Sequence, residues 1–148
     1  MKIRKVARSE KEIYKLAGWV WENIKDKVGK EAIVIALSGP LGAGKTTLVK
    51  AIAKEMGIKD VVVSPTFILH REYPGLDHID AWRVEDFLEI ERLGLAKMLA
   101  NKHLVIIEWA DKFSEEIKKL STKDTKIVWV KLEYGKNEIE RLITVTHP

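Results

Sequence analysis

The 148-residue sequence predicts an α/β fold: a mostly parallel central sheet flanked by helices, with a C-terminal antiparallel hairpin. Three observations predict it. Two continuous apolar runs, Ala32–Ser38 (AIVIALS) and Leu104–Glu108 (LVIIE), have the length of strands buried on both faces. Helical stripes lie between the strand candidates, the alternation that builds parallel sheets. Residues 126–133 and 139–146 alternate apolar and polar on either side of Tyr134-Gly135-Lys136-Asn137, which reads as a hairpin.

The elements follow in order. Residues 1–8 read as a short strand. Ser9 with Glu12 makes a capping box, and Ile13, Leu16, Ala17, Val20, Ile24 and Val28 form a helical stripe that Gly29 ends. After Ala32–Ser38 comes a Gly-rich turn, then Leu48, Val49, Ile52, Ala53 and Met56 at helical spacing over 45–56, stopped by Gly57. Strands are expected at 61–63, 66–71 and 76–81, with Ser64-Pro65 interrupting the first pair. Residues 84–100 read as a helix in two pieces broken at Gly94, and 112–120 as a further helix. The sequence carries no internal repeat and no Pro/Gly-rich linker, so 1–148 reads as one domain.

Composition excludes several function classes. There is no cysteine, hence no disulfide and no thiolate metal site, and the four histidines lack metal-ligand spacing. No apolar run approaches the ~20 residues of a membrane span, and the N-terminus lacks the apolar region of a secretion signal. The expected location is the cytoplasm. The net charge of +4 comes from 26 basic residues interleaved with 22 acidic ones, a mixed solvated surface rather than a one-sided nucleic-acid footprint.

The motif that carries chemistry is Gly39-Pro40-Leu41-Gly42-Ala43-Gly44-Lys45-Thr46, a full G-x-x-x-x-G-K-[ST] phosphate loop. It stands between a buried strand and an amphipathic helix, the context this loop requires. Glycines allow backbone N–H groups of the loop to turn inward onto phosphate oxygens, and the helix N-terminus faces the same anion. Lys45 is placed to reach β and γ phosphates, and the Thr46 hydroxyl suits Mg²⁺. The fold class is therefore that of P-loop NTPases.

Such a site needs a carboxylate at a neighbouring strand end. Glu108 closes an apolar strand, where a charge is oddly placed unless a cation compensates it. Asp80, in His78-Ile79-Asp80-Ala81-Trp82-Arg83, is a second acid suited to orient water or a metal-bound water. Thr66 is placed like a γ-phosphate-sensing switch threonine, with a hydroxyl satisfied within a strand as the other reading. Trp109 reads either as a cover over nucleotide or partner, or as a core ring. Asn101-Lys102-His103-Leu104 has Leu where guanine recognition needs Asp, which favours ATP over GTP. Arg71, Arg83, Arg92 and Arg141 are scattered and form no kinase-type lid; Arg83 is the local candidate for an arginine finger. Besides an ATPase, two readings stand: a small-molecule or nucleoside kinase, and a nucleotide-gated binding module without useful hydrolysis.

Taken together, the 39–46 loop, Ser64-Pro65-Thr66-Phe67, His78 to Arg83, Leu93-Gly94-Leu95 and Ile107-Glu108-Trp109-Ala110-Asp111 resemble the TsaE (YjeE) family over roughly residues 9–145. The resemblance implies an ATPase that supports threonylcarbamoyladenosine formation on tRNA. It implies association with transferase subunits of the TsaD and TsaB type, resetting of that complex by hydrolysis, and indirect contact with tRNA. It places ATP on Gly39, Leu41, Gly42, Ala43, Gly44, Lys45, Thr46 and Thr47, and Mg²⁺ on Thr46 and Glu108. Lys45, Asp80 and Glu108 become the catalytic set, Thr66 part of a switch-like segment, and Trp109 a residue beside the nucleotide. Pro40 departs from the family's acidic residue, Trp82 from its Tyr, and the stretch between Tyr73 and His78 is short.

Overall fold

The computed structural model of the protein describes residues 2–59, 69–137 and 139–148. The chain runs β1 (Lys2–Ala7), α1 (Glu10–Ile24), β2 (Ala32–Ser38), α2 (Lys45–Glu55), β3 (His70–Tyr73), β4 (Leu76–Asp80), α3 (Phe87–Glu91) and α4 (Leu95–Ala100). It continues through β5 (Leu104–Glu108), a 3₁₀ turn (Ala110–Phe113), α5 (Ser114–Lys118), β6 (Thr125–Tyr134) and β7 (Arg141–Thr146).

The apolar run of β2 has no polar face to offer solvent, and its first six residues are buried. It takes the middle of a seven-stranded sheet ordered β1-β7-β6-β2-β5-β4-β3. β5, buried along its whole length, lies parallel on one side and β6 parallel on the other. β4 extends the parallel block beside β5. Both margins are antiparallel: β3 on β4, β7 on β6, and β1 on β7. The sheet is thus mixed rather than mostly parallel. The reason is connection length: tight turns join β3 to β4 and β6 to β7, and a short turn cannot return a strand in parallel.

One face of the sheet is covered by α1 and α2, whose Leu16, Val20, Leu48 and Ile52 pack on Ile33, Ile35 and Ile106. The other face is covered by α3, α4 and the 3₁₀–α5 segment, with Phe87, Ile90, Met98 and Ile117 on Val34, Ile79 and Ile107. Period-two alternation decides which side chain meets which layer: in β4, Leu76 belongs to the first layer and Ile79 to the second.

Element ends differ from the sequence expectation for local reasons. Helix α1 stops at Ile24, and the left-handed Gly29 (φ 86°) lies in the turn beyond rather than at its cap. The expected helix from 84 begins at Phe87, because Asp86 Oδ1 accepts from Leu88 N (2.9 Å) while Glu89 reaches back to Asp86 N (3.3 Å). Gly94 breaks it as expected, with φ 97°. The 112–120 helix is a 3₁₀ turn followed by one short helix. β7 starts at Arg141 rather than 139, because Asn137 Oδ1 takes the Ile139 and Glu140 N–H groups at 3.0 and 2.9 Å. The expected strand 61–63 and Thr66 lie outside the described residues, and His70 and Arg71 from the expected 66–71 strand fall in β3.

A buried polar node fastens the β3 margin. Asp77, 1% exposed, accepts from His70 Nε2 (2.6 Å) and His103 Nδ1 (2.7 Å), so one carboxylate ties β3, β4 and the entry to β5. Asp77→Ala leaves both imidazoles without their acceptor and is expected to cost about 3 kcal/mol in urea unfolding, the scale of two hydrogen bonds to a charged group. Because Asp77 faces away from α2, the loss should be confined to stability, with the far-UV circular dichroism of the folded variant matching the parent.

Candidate functional site

The site is assembled where the parallel strands end. β2 runs out at Ser38 into the phosphate loop, and in register beside it Leu37 faces Glu108, which in turn faces Asp80. Three consecutive neighbours of a parallel block thus deliver the loop and two carboxylates to one edge. Leu41, Gly42, Gly44, Lys45, Thr46, Thr47, Asp80, Glu108 and Trp109 line a single cavity of about 260 Å³. Sequence reasoning singled out every one of these. Ala43 is fully buried beneath the loop, and Gly39 opens instead onto a larger groove of about 750 Å³ on the far side of Trp109. Thr66 lies outside the described residues.

The loop has the backbone its glycines permit, with φ of 150°, 77° and 106° at Gly39, Gly42 and Gly44. At Gly39 no other residue fits: a Cβ there would stand 2.7 Å from the Leu132 carbonyl oxygen. The loop is also held from outside. Tyr134 OH donates to Leu41 O (2.6 Å), and Arg141 donates through Nε to Ala43 O (3.2 Å) and through Nη2 to Gly42 O (3.4 Å). The Arg141 guanidinium lies 4.4 Å from the Tyr134 ring centre. These two facing residues of the β6–β7 hairpin occupy loop carbonyls. Sequence reading missed both, since only the strand register brings Arg141 to residues 42 and 43.

Lys45 opens α2 and is 5% exposed. Its ammonium donates to Gly39 O (2.5 Å) and Pro40 O (2.9 Å) and sits 4.0 Å from the Trp109 ring centre. Burial lowers its pKa, and the charges of Glu108, Asp80 and Asp111 work against that shift. Trp109 adopts a left-handed backbone (φ 60°, ψ 32°), uncommon for a bulky residue, and its ring packs 4.6 Å from Trp82. Half-buried and packed against the second core layer, it walls the cavity and covers the lysine. Another residue absent from the sequence reading, Lys112, donates to the carbonyls of Ala81, Trp82 and Val84 at 2.9, 2.9 and 2.7 Å. It fixes the loop after Asp80 to the segment after Trp109.

Asp80 Oδ1 accepts from Trp82 N at 3.0 Å. Burial raises its pKa above the ordinary 3.8, opposed by that hydrogen bond and reinforced by Glu108, with Lys45 pulling the other way. Glu108, 3% exposed, meets His78 Nε2 through Oε2 at 2.5 Å. The donors around the cavity, the Thr46 hydroxyl and two carboxylates, are hard oxygens, the set that suits Mg²⁺. Among the described residues no cluster of three or more His, Cys, Asp or Glu is arranged to hold a metal by itself. A cation here would share its coordination with a ligand and water.

The family profile described as "Threonylcarbamoyl adenosine biosynthesis protein TsaE" matches residues 7–142. The chain belongs to the TsaE family. Proteins named tRNA threonylcarbamoyladenosine biosynthesis protein TsaE resemble it in sequence. The one from Aquifex aeolicus is 41% identical over 113 residues, 72% of this chain and 76% of that one. The one from Bacillus subtilis is 40% identical over 92 residues, 60% of this chain and 57% of that one. The match spans 61% of the Streptomyces coelicolor protein at 37% identity, so for two of these three TsaE relatives less than two thirds of the length is covered. The crystal structure of Bacillus subtilis YdiB superposes with a TM-score of 0.71 over 99% of this chain and 86% of that one, at 23% identity, a likeness of fold. No helix among the described residues is long and apolar enough to cross a membrane.

The raised Asp80 pKa sets a pH-dependent stability. An acid whose folded value lies above its unfolded value stabilises the fold below the unfolded value and loses that contribution as pH rises through the folded one. Asp80→Asn, which keeps the acceptor for Trp82 N–H, is therefore expected to melt above the parent at pH 7. The difference should vanish below pH 3.8, where the parent carboxyl is protonated in both states. Thermal melts of both proteins across that range check the sign.

Proposed function

We propose that this protein binds and hydrolyses Mg-ATP and serves threonylcarbamoyladenosine formation on tRNA as an accessory ATPase. The observation that carries the reading is the single cavity that gathers Lys45, Thr46, Asp80 and Glu108 at the ends of β2, β4 and β5. Its charge balance favours a polyphosphate accompanied by a divalent cation. Lys45 faces the carboxylates of Glu108, Asp80 and Asp111, so a bare anion would meet an excess of negative charge. The family membership and the relatives' names support the pathway.

The chain's own groups supply binding and orientation. The N–H groups of Gly42, Gly44 and the start of α2 cradle phosphate oxygens. Lys45 leaves the Gly39 and Pro40 carbonyls for the β and γ phosphates and neutralises charge there as the bond to the γ-phosphorus breaks. Thr46 and Glu108 would hold Mg²⁺, which supplies electrostatic stabilisation of the polyphosphate. Asp80, whose raised pKa suits a proton acceptor, orients the attacking water in line. Thr66 is the proposed switch that senses the γ-phosphate. Turnover of the isolated protein is slow and rises with a partner, since a missing arginine finger is worth ~10³–10⁵ in rate. TsaD- and TsaB-like subunits are the proposed partners, with hydrolysis resetting their complex and tRNA contacted through them.

Lys45→Ala should weaken ATP binding by about 100-fold or more in calorimetry, the loss of two charge-assisted hydrogen bonds of ~1.5 kcal/mol each. Glu108→Ala should bind ATP in the absence of metal much as the parent does, yet lose Mg-dependent phosphate release. Full hydrolysis by Glu108→Ala would sink the assignment. Phosphate transfer to an added metabolite in place of water would point to a kinase.

A further inference from the structure

We propose that His78 is a positioning residue that withholds one oxygen of Glu108 and so presents the other, Oε1, alone to the cavity. The inference rests on the Mg-ATP reading above and adds to it a determinant of which cation is accepted.

β4 and β5 lie side by side in parallel, with His78 opposite Ile106 and Asp80 opposite Glu108. Leu76, His78 and Asp80 alternate onto the α2 face of β4, and Leu104, Ile106 and Glu108 onto the same face of β5. The imidazole therefore lies diagonally beneath the carboxylate, one residue pair deeper than the cavity. Its side chain is fully buried and that of Glu108 is 4% exposed. His78 Nε2 and Glu108 Oε2 stand 2.5 Å apart, and His78 Nδ1 is buried with no partner among the described residues. The tautomer follows from these contacts. The ring proton lies on Nε2, where it is donated to the carboxylate, because a proton on Nδ1 would be a buried donor without an acceptor.

The consequence is geometric. Glu108 Oε2 is spent below, and Oε1 makes no hydrogen bond among the described residues. A carboxylate held at one oxygen by a rigid buried ring is restrained from rotating, and chelation through both oxygens would draw on the one that already accepts this bond. One-oxygen ligation suits Mg²⁺, which demands near-ideal octahedral geometry at ~2.0–2.1 Å. Ca²⁺ accepts both oxygens of a carboxylate at ~2.3–2.6 Å. Hydrogen-bond partners of ligating groups are typically worth 10–100-fold in metal affinity. His78 thus favours the smaller ion by restraining its ligand.

The test uses the whole chain, with His78→Leu to delete the donor and His78→Gln to restore one from an amide. ATP affinity is measured by calorimetry without metal, with Mg²⁺ and with Ca²⁺. For His78→Leu the metal-free affinity should match the parent, the enhancement by Mg²⁺ should fall about tenfold, and the ratio of Mg²⁺ to Ca²⁺ enhancement should fall with it. His78→Gln should recover most of both, which a merely space-filling role would not produce. Imidazole nitrogen NMR of the parent gives a second readout that needs no nucleotide: an Nε2-protonated ring whose proton signal moves upfield in Glu108→Gln. A parent that binds Mg-ATP while folded His78→Leu keeps the parental Mg²⁺ enhancement overturns the role of His78 alone. An Nδ1-protonated ring overturns it too, even if neither variant folds. A parent that gains no ATP affinity from Mg²⁺ overturns the Mg-ATP reading and this inference with it.

Discussion

A lysine ammonium held almost out of water is the constraint on which this end of the molecule depends. A buried cation is costly unless acceptors surround it. Lys45 meets the Gly39 and Pro40 carbonyls, the face of Trp109, and the field of Glu108, Asp80 and Asp111. None of these is close to it in sequence except the loop carbonyls. They converge because β2, β5 and β4 end at the same level of one parallel block, so that residues 37, 108 and 80 stand in a row. The left-handed turn at Trp109 follows from the same demand. A strand that ended in ordinary extended geometry would carry that ring past the lysine, and here it turns back over it.

The loop itself could not hold this arrangement alone. Three of its carbonyls, those of Leu41, Gly42 and Ala43, take their donors from outside the loop. The Tyr134 hydroxyl and the Arg141 guanidinium supply them from a hairpin about a hundred residues further along the chain. The antiparallel margin is therefore part of the site. It adds no group to the cavity that holds Lys45, yet it fixes the loop from behind, as Lys112 fixes the loop that carries Trp82.

What the sequence made legible was whatever one segment can express by itself. The two apolar runs became buried strands, and the stretch from Gly39 to Thr46 became the turn from β2 into α2 that lines one wall of the cavity. Glu108 and Asp80 were recognisable because a charge at the tip of an apolar strand is anomalous on its own. What escaped was relational. Antiparallel margins follow from connection lengths summed over the sheet, and Arg141 acquires its partners only through register with Tyr134. The start of α3 was in principle readable as an acidic capping box at Asp86 and Glu89, and the helical stripe across 84–86 masked it.

Two buried carboxylates with histidine partners show why such relations decide function. Asp77 and Glu108 belong to neighbouring strands and are 1% and 3% exposed. As residue types they are interchangeable in a sequence reading. Asp77 spends one oxygen on His70 and the other on His103, so its hydrogen-bonding capacity is used to join three pieces of backbone. Glu108 spends one oxygen on His78, and it lines the same cavity as Lys45 and Thr46. A carboxylate bonded at both oxygens offers a new ligand only lone pairs beside existing buried hydrogen bonds, at a cost to those bonds. A carboxylate satisfied on one side keeps a vacant coordination direction at no such cost. The two acids therefore differ in how many histidines the sheet brings to them: His70 from β3 and His103 from the entry to β5 reach Asp77, and His78 alone reaches Glu108.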